Sequence, residues 1–189
     1  MKRNFENVYQ FKLSMKGIIP QIWRRIQVPE NYTFLDLHYA IQAAMEWEDY
    51  HLHEFEILNP KIEKIERIGT ESDDFEDFGE ESLVPEKKAK IGNYFTLENK
   101  DALYTYDFGD DWQVRVRLEK IIPKAEGLEY PICTDGKRAS VPEDSGGIGG
   151  YEDMLEIIKD PSHPEYEDTL EWLGEDFDPE YFDPKDISF

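Results

Sequence analysis

The chain has 189 residues, with 21 Lys and Arg against 43 Asp and Glu, a formal charge of −22. Such a length suits one packed domain or a domain with an elaborated tail, and such a charge argues against sequence-independent nucleic-acid binding, which draws its free energy from cationic side chains that displace counterions, and against an anionic membrane surface. Aromatic residues make up 14% of the chain, which argues against an acidic disordered polymer, a class poor in rings.

No window approaches the 18 consecutive apolar residues of a membrane span, and MKRNFENVYQ is charged where a secretory leader needs its apolar stretch. A cytoplasmic location is predicted. Cys133 is the one cysteine, so an internal disulfide and a thiolate-rich zinc site are both ruled out.

Along the chain, Tyr9, Phe11, Leu13 and Met15 alternate with polar neighbours at the period of a half-buried strand. A second extended run from Ile22 to Val28 follows Gly17 and Pro20, so residues 8–28 read as a β-hairpin. From Thr33 the period changes: Phe34, Leu37, Ile41, Ala44 and Met45 share one helical face, with Thr33 as N-cap and Asp36 in the first turn, and the helix ends near Trp47. Residues 51–58 read as another strand. Between 61 and 101 the pattern dissolves, and residues 71–81 hold seven acids in eleven positions, which predicts an exposed, mobile acidic insertion.

Order returns at 103–121 as a second hairpin. A two-residue turn would set Tyr104 and Tyr106 opposite Arg115 and Gln113. A three-residue loop at 109–111 sets Tyr104, Tyr106 and Phe108 opposite Val116, Val114 and Trp112, which makes one wholly apolar face and leaves Asp107 diagonal to Arg115. A Pro- and Gly-rich loop follows, then helices near 151–159 and 165–173, the second stopped by Gly174. The tail repeats Phe-Asp-Pro at Phe177 and Phe182, whose rings are expected to dock onto the rest. Residues 143–189 carry 2 basic and 16 acidic groups, so the excess charge belongs mainly to an acidic, helical C-terminal part. The predicted fold class is α+β: antiparallel hairpins forming a sheet packed by a helix, in a single domain over 1–189.

Three blocks in order, YQFKLSMKGIIPQIWRRIQVPENYTFLDLHYAIQAAMEWEDYHLHEFEI, YTYDFGDDWQVRVRLEKI and YPICTDGKRASVPEDSGGIGGYEDMLEIIKDPSHPEYEDTLEWLGEDFDPEYFD, resemble the plasmid pRiA4b ORF-3-like proteins. The resemblance implies an α+β domain without an established activity. Some relatives are labelled transposon resolvases, but this chain has no helix-turn-helix segment with clustered Lys and Arg to support that role. Cysteines often stand in the family where this chain has Ser140 and Ser145, so the resemblance brings no thiolate metal site with it.

Several segments can carry chemistry. His51 and His53, two apart on a strand, point to one face, a spacing that suits two imidazole ligands of one divalent metal, with Asp107, Asp110 or Asp111 supplying a carboxylate. The competing reading gives each histidine a backbone or acidic partner. Asp110 and Asp111 also read as turn formers, and Asp107 as an ion-pair partner. From Asp74 a calcium loop fails, since its fifth and twelfth positions are Phe78 and Pro85. The Ser145–Gly150 run opens a helix and can cap it or hold an anion, although acids surround it. Asp135-Gly136 reads as a tight turn presenting Lys137 and Arg138, either to a ligand or to Glu143 and Asp144. Cys133 reads as packing or as a nucleophile, and no G-x-S-x-G elbow is present. Arg24, Arg25, Arg115 and Arg117 make a small basic stripe on the hairpins.

The leading functional expectation is a binding or adaptor module for an unidentified protein or small ligand. Its groove is expected near HLHEF, YDFGDDW and TDGKRA, using Asp110, Asp111, Trp112, Asp135, Lys137 and Arg138. The rival is a metal-dependent hydrolase built on His51, His53 and Asp107, and a third reading, an accessory role in DNA recombination, comes from the family label alone.

Overall fold

A computed structural model describes residues 4–70, 83–174 and 176–189. Eight strands form one sheet: β1 (Asn7–Met15), β2 (Trp23–Pro29), β3 (His53–Asn59), β4 (Lys64–Gly69), β5 (Val84–Pro85), β6 (Asp101–Tyr106), β7 (Trp112–Pro123) and β8 (Ile132–Lys137). Their order across the sheet is β5-β4-β3-β6-β7-β1-β2-β8. Every neighbouring pair is antiparallel except β4 with β5, where Ile68 faces Val84 in parallel. With helices α1 (Phe34–Met45), α2 (Gly147–Ile157) and α3 (Tyr166–Leu173), this is an α+β fold.

Strand alternation divides the sheet into two faces. Phe11, Leu13 and Met15 of β1, Ile26 and Val28 of β2, Phe55 and Ile57 of β3, Tyr104 and Tyr106 of β6, and Trp112, Val114, Val116 and Leu118 of β7 are buried on the inner face. Helix α1 covers that face with Phe34, Leu37, Ile41, Ala44 and Met45. Its start is a capping box: the Asp36 amide donates to Thr33 Oγ1 and the Thr33 amide donates to the Asp36 carboxylate, at 3.2 and 2.8 Å. Glu46, at φ 56°, ends it in the left-handed region. The outer face carries paired charges. Arg25 meets Glu119 and Asp135 at 2.8 and 2.6 Å, and Arg115 and Arg117 share Asp101 at 2.8 and 2.9 Å. No helix among the described residues is long and apolar enough to cross a membrane.

Three sequence expectations are corrected. The segment after residue 60 is not all loose insertion. Lys64–Gly69 pairs with β3, and Ala89, Ile91, Tyr94 and Phe95 are buried in the core, where the Phe95 ring meets Phe11 at 4.8 Å. These apolar residues are too unevenly spaced to show a period, and the segment is held at the start of α1 by the Phe34 amide donating to the Ala89 carbonyl and the Ile91 amide to the Tyr32 carbonyl. The acidic run at 71–81 lies outside the described residues.

The second hairpin turns through residues 107–111, not 109–111, with Tyr106 opposite Trp112 and Tyr104 opposite Val114. Side chains alternate with period two, so a slip of two residues keeps the same apolar face, and the pattern alone could not separate the two registers. Phe108 is thereby left exposed, and Arg115 pairs with Asp101 in place of Asp107.

Asp135-Gly136 is no turn. It lies within β8, with Gly136 opposite Arg24 and Asp135 opposite Arg25. A Cβ there would stand 2.3 Å from the Phe182 ring, which the tail lays over this strand, so any larger residue would have to push that ring aside. Arg138 is buried and meets Glu180 at 2.7 Å, so its partner is in the tail, not Glu143 or Asp144.

Candidate functional site

The inner face is polar at two places: at Arg24 of β2, which is fully buried, and at one end of β3 and β6, where α1 places two polar side chains on its buried stripe. His38 and Gln42 follow Phe34 at intervals of four, so the helix turns both toward the sheet. There they close a ring of hydrogen bonds. The Asp49 amide donates to Gln42 Oε1 at 3.0 Å, and Gln42 Nε2 donates to Tyr104 Oη at 2.9 Å. Tyr104 Oη lies 2.8 Å from His38 Nδ1, and His38 Nε2 lies 2.9 Å from Asp49 Oδ1.

With His38 neutral, the four bonds fix one pattern of protons. A carboxylate only accepts, so His38 carries its proton on Nε2; Nδ1 then accepts from Tyr104, whose oxygen already receives Gln42. A second proton on His38, at Nδ1, would make Tyr104 Oη accept twice and leave its hydroxyl hydrogen without an acceptor in the ring. Burial, followed by the neighbouring His53, lowers His38 to about 4, outweighing the Asp49 carboxylate, which pulls upward. Burial likewise drives Tyr104 far upward.

His53, the first residue of β3, stacks on His38 with ring centroids 3.5 Å apart and planes 6° from parallel. Its Nε2 lies 2.7 Å from Glu86, which also accepts from Thr70 Oγ1 at 2.9 Å. Burial alone would raise the Glu86 carboxyl, but the bonds from His53 and Thr70 outweigh it and the net shift is downward. His38, Asp49 and His53 hold ligand-type atoms within 4.8 Å of one another, yet the stacking unsuits the rings to a shared ion. An ion midway between the planes would sit about 1.7 Å out of each on bonds of about 2.0–2.1 Å, far from the in-plane lone pairs. This cluster is a buried proton-ordered network.

His51 belongs to a separate group. It precedes β3, so the alternation that was to align it with His53 does not apply. Its Nε2 lies 3.0 Å from Asp144 Oδ1 and 3.7 Å from Asp107 Oδ2. The hairpin loop brings Asp107 there at φ 55° and is tied down from two sides. The Gly109 amide donates to Asp107 Oδ1 at 2.9 Å, and the Gly146 amide, at the start of α2, donates to Asp110 Oδ2 at 3.0 Å. The anion at that glycine-rich helix start is thus the chain's own carboxylate, as the helix dipole favours. Nearby, Tyr106 donates a short hydrogen bond to Glu143, and the Glu48 amide donates to the same carboxylate at 2.7 Å, so the loop before α2 is fastened to the end of β6.

Of the other predicted site residues, Asp111 turns the hairpin at φ 54° and accepts from Gln113, while Trp112 is buried beneath it. HLHEF and YDFGDDW therefore meet, but TDGKRA does not join them: β8 is the far edge of the sheet, four strands beyond β6. There the C-terminal tail closes a cleft of about 400 Å³, floored by Met45, Val141, Phe177 and Phe182. Its charged lining is wholly acidic, from Glu46, Asp176, Asp178, Asp183 and Asp186. Beside it, Arg24 is fully buried, lies 3.9 Å from the centre of the Phe182 ring, and donates to Ala44, Trp23 and Lys137 carbonyls at 3.0, 3.0 and 3.2 Å. Burial lowers it to about 10, a value that still leaves it charged at neutral pH. Burial pushes the Cys133 thiol up, and its sulfur lies 3.6 Å from the Asp135 carbonyl, an arrangement that leaves it a poor nucleophile.

The sequence reading missed His38, Gln42, Asp49, Glu86 and the tail cleft. A signal existed for two of them: a histidine and a glutamine at i+4 and i+8 from Phe34 stand on a face that is otherwise apolar. Glu86 and the tail come from segments with no period to place them.

A single antiparallel-rich sheet, covered on one face by a helix and carrying a polar network at one end, defines the structural class as an α+β protein with no assigned chemistry. The chain belongs to the plasmid pRiA4b ORF-3-like family, whose model matches residues 7–186. It is 31% identical over 160 residues to the uncharacterized protein y4hQ of Sinorhizobium fredii (strain NBRC 101917 / NGR234), covering 85% of this chain and 77% of that one. It is also similar to the crystal structure of a protein of unknown function, MM3350 from Methanosarcina mazei Go1. That chain is 72% identical with a TM-score of 0.91, and the match covers 98% of this chain and 100% of that one.

Proposed function

We propose that this chain is a non-catalytic binding module that takes up a short basic segment of a partner protein in the cleft under its C-terminal tail. The observation carrying the reading is the character of the cleft: its lining holds five acidic residues and no basic one over an apolar floor of Met45, Val141, Phe177 and Phe182, and the nearby Arg24 is buried behind Phe182 and within 3.9 Å of Glu46 alone among these acids. A lysine or arginine side chain matches both parts, with an aliphatic stem for the floor and a charged head for the rim. A volume of about 400 Å³ falls within the range of side-chain and small-ligand pockets. The hydrolase reading has less support, because His51 and His53 sit in different clusters and His53 is occupied by Glu86 and His38. The recombination reading has less still, since Arg25, Arg115 and Arg117 are each paired with acids and Arg24 is buried.

The test is fluorescence polarisation with a labelled peptide of alternating Arg and Leu, and with a Glu and Leu counterpart. Saturable binding of the first, weakened at least about tenfold by Asp178→Asn with Asp183→Asn, supports the reading. Equal weakening by Glu152→Gln with Asp153→Asn, on exposed α2, would reduce the effect to bulk charge and end the proposal, as would absence of saturation.

A further inference from the structure

We infer that His51, Asp107 and Asp144 form a binding site for one divalent transition ion, with a fourth coordination position open to solvent. The argument begins with what His51 lacks. Its Nε2 atom is buried and two carboxylate oxygens stand 3.0 and 3.7 Å away, yet it makes a hydrogen bond to neither. An imidazole paired with a carboxylate ordinarily aims its N–H along the line to the oxygen, as His53 does toward Glu86 at 2.7 Å. Here the three ligand atoms gather within 4.8 Å of one another while the imidazole nitrogen bonds to neither carboxylate.

The spacing suits such a point. Ligand atoms held tetrahedrally on bonds of about 2.0–2.1 Å lie about 3.3 Å apart, and the two measured separations from Nε2 bracket that value; all three ligand atoms lie within 4.8 Å of one another. The donors differ in kind from an ordinary acidic surface. One neutral imidazole and two carboxylates carry two negative charges, which balance a divalent ion, and the imidazole favours Zn²⁺ and its neighbours over Ca²⁺ and Mg²⁺.

Each ligand is also held from behind. Asp107 Oδ1 is taken by the Gly109 amide, which turns Oδ2 toward His51. The ring of His51 meets Tyr106 edge-on at 5.7 Å. Asp144, at φ 56°, rides on the loop that Glu143 and Asp110 fasten at either side. Such outer contacts orient metal ligands. Asp107 is largely covered whereas Asp144 is 67% exposed, so the remaining position faces solvent on the Asp144 side. The ion would join three segments distant in sequence, and it stands apart from the tail cleft, so neither proposal depends on the other.

The test uses the full chain without a histidine tag, dialysed against chelator and titrated calorimetrically with Zn²⁺ and separately with Ca²⁺. One Zn²⁺ per chain is expected, with a Zn²⁺-dependent rise in Tm and no saturable Ca²⁺ heat. His51→Ala and Asp144→Asn, both at positions that tolerate change without disturbing the core, should each weaken Zn²⁺ at least tenfold, while His163→Ala should leave it unchanged. Absence of stoichiometric Zn²⁺ binding, or binding that survives His51→Ala at full strength, overturns the site and leaves a plain ion pair. Circular dichroism of each variant shows that the fold is retained, so a lost site is not a lost fold.

Discussion

Acidification should destabilise this protein through His38 well before its carboxylates protonate. The residue is held to about 4 in the folded chain, against about 6.5 for a free imidazole. Between those values the unfolded chain binds the proton and the folded one refuses it, so stability rises with pH through this window and is lost as pH falls. At pH 7.5 the contribution is nil; at pH 5 the difference amounts to roughly 2 kcal/mol. That loss lowers the urea midpoint by about 1 M for a chain of this size. Ordinary carboxylates remain mostly ionised at pH 5, and relief of the −22 net charge on acidification acts in the opposite direction. The site-specific assay is therefore NMR of the imidazole rings alongside the urea series. His38 should show the Nε2–H tautomer and no titration above pH 5. A His38 midpoint at or above 6, or the Nδ1–H tautomer, would refute the closed ring of Asp49, Gln42, Tyr104 and His38.

Two further expectations concern packing. A Cβ on Gly150 would stand 1.9 Å from the Ser145 carbonyl oxygen, which is backbone and cannot swing away, so Gly150→Ala should cost about 1–3 kcal/mol and lower Tm; an unchanged melting curve would show that the start of α2 is looser than described. Arg24→Leu removes a fully buried guanidinium and strands the three carbonyls it serves. Its cost by urea unfolding should reach at least about 2 kcal/mol, and a neutral result would mean that water takes over those carbonyls.

Much of the architecture could be read before any coordinates were known, and the reason differs by element. β1 and α1 each carry a clean period, two in one case and 3.6 in the other, and each ends at a recognisable signal such as Thr33. Both hairpins were legible for the same reason. The exact turn of the second was not, because Tyr104 and Tyr106 face inward in either register. β4 escaped because only its last two residues are buried, too few to make a pattern, and residues 89–95 escaped because their buried positions, 89, 91, 94 and 95, follow neither period.

The candidate site divides along the same line. Residue type and spacing marked His51, His53 and Asp107 as chemically able, and they predicted one groove from HLHEF, YDFGDDW and TDGKRA, of which the pairing of β3 with β6 joins the first two and the position of β8 at the far edge leaves out the third. The sequence by itself thus determined which faces are apolar, where the hairpins and the main helix lie, and which side chains can ligate or exchange a proton. Only the tertiary structure decided their partners: His53 with His38 and Glu86, His51 with Asp144, and Arg138 with Glu180. Periodicity reports the burial of a residue relative to its own element. A polar contact is set by distance and direction between elements far apart in the chain, and those follow from how the sheet, the helix and the tail close on one another.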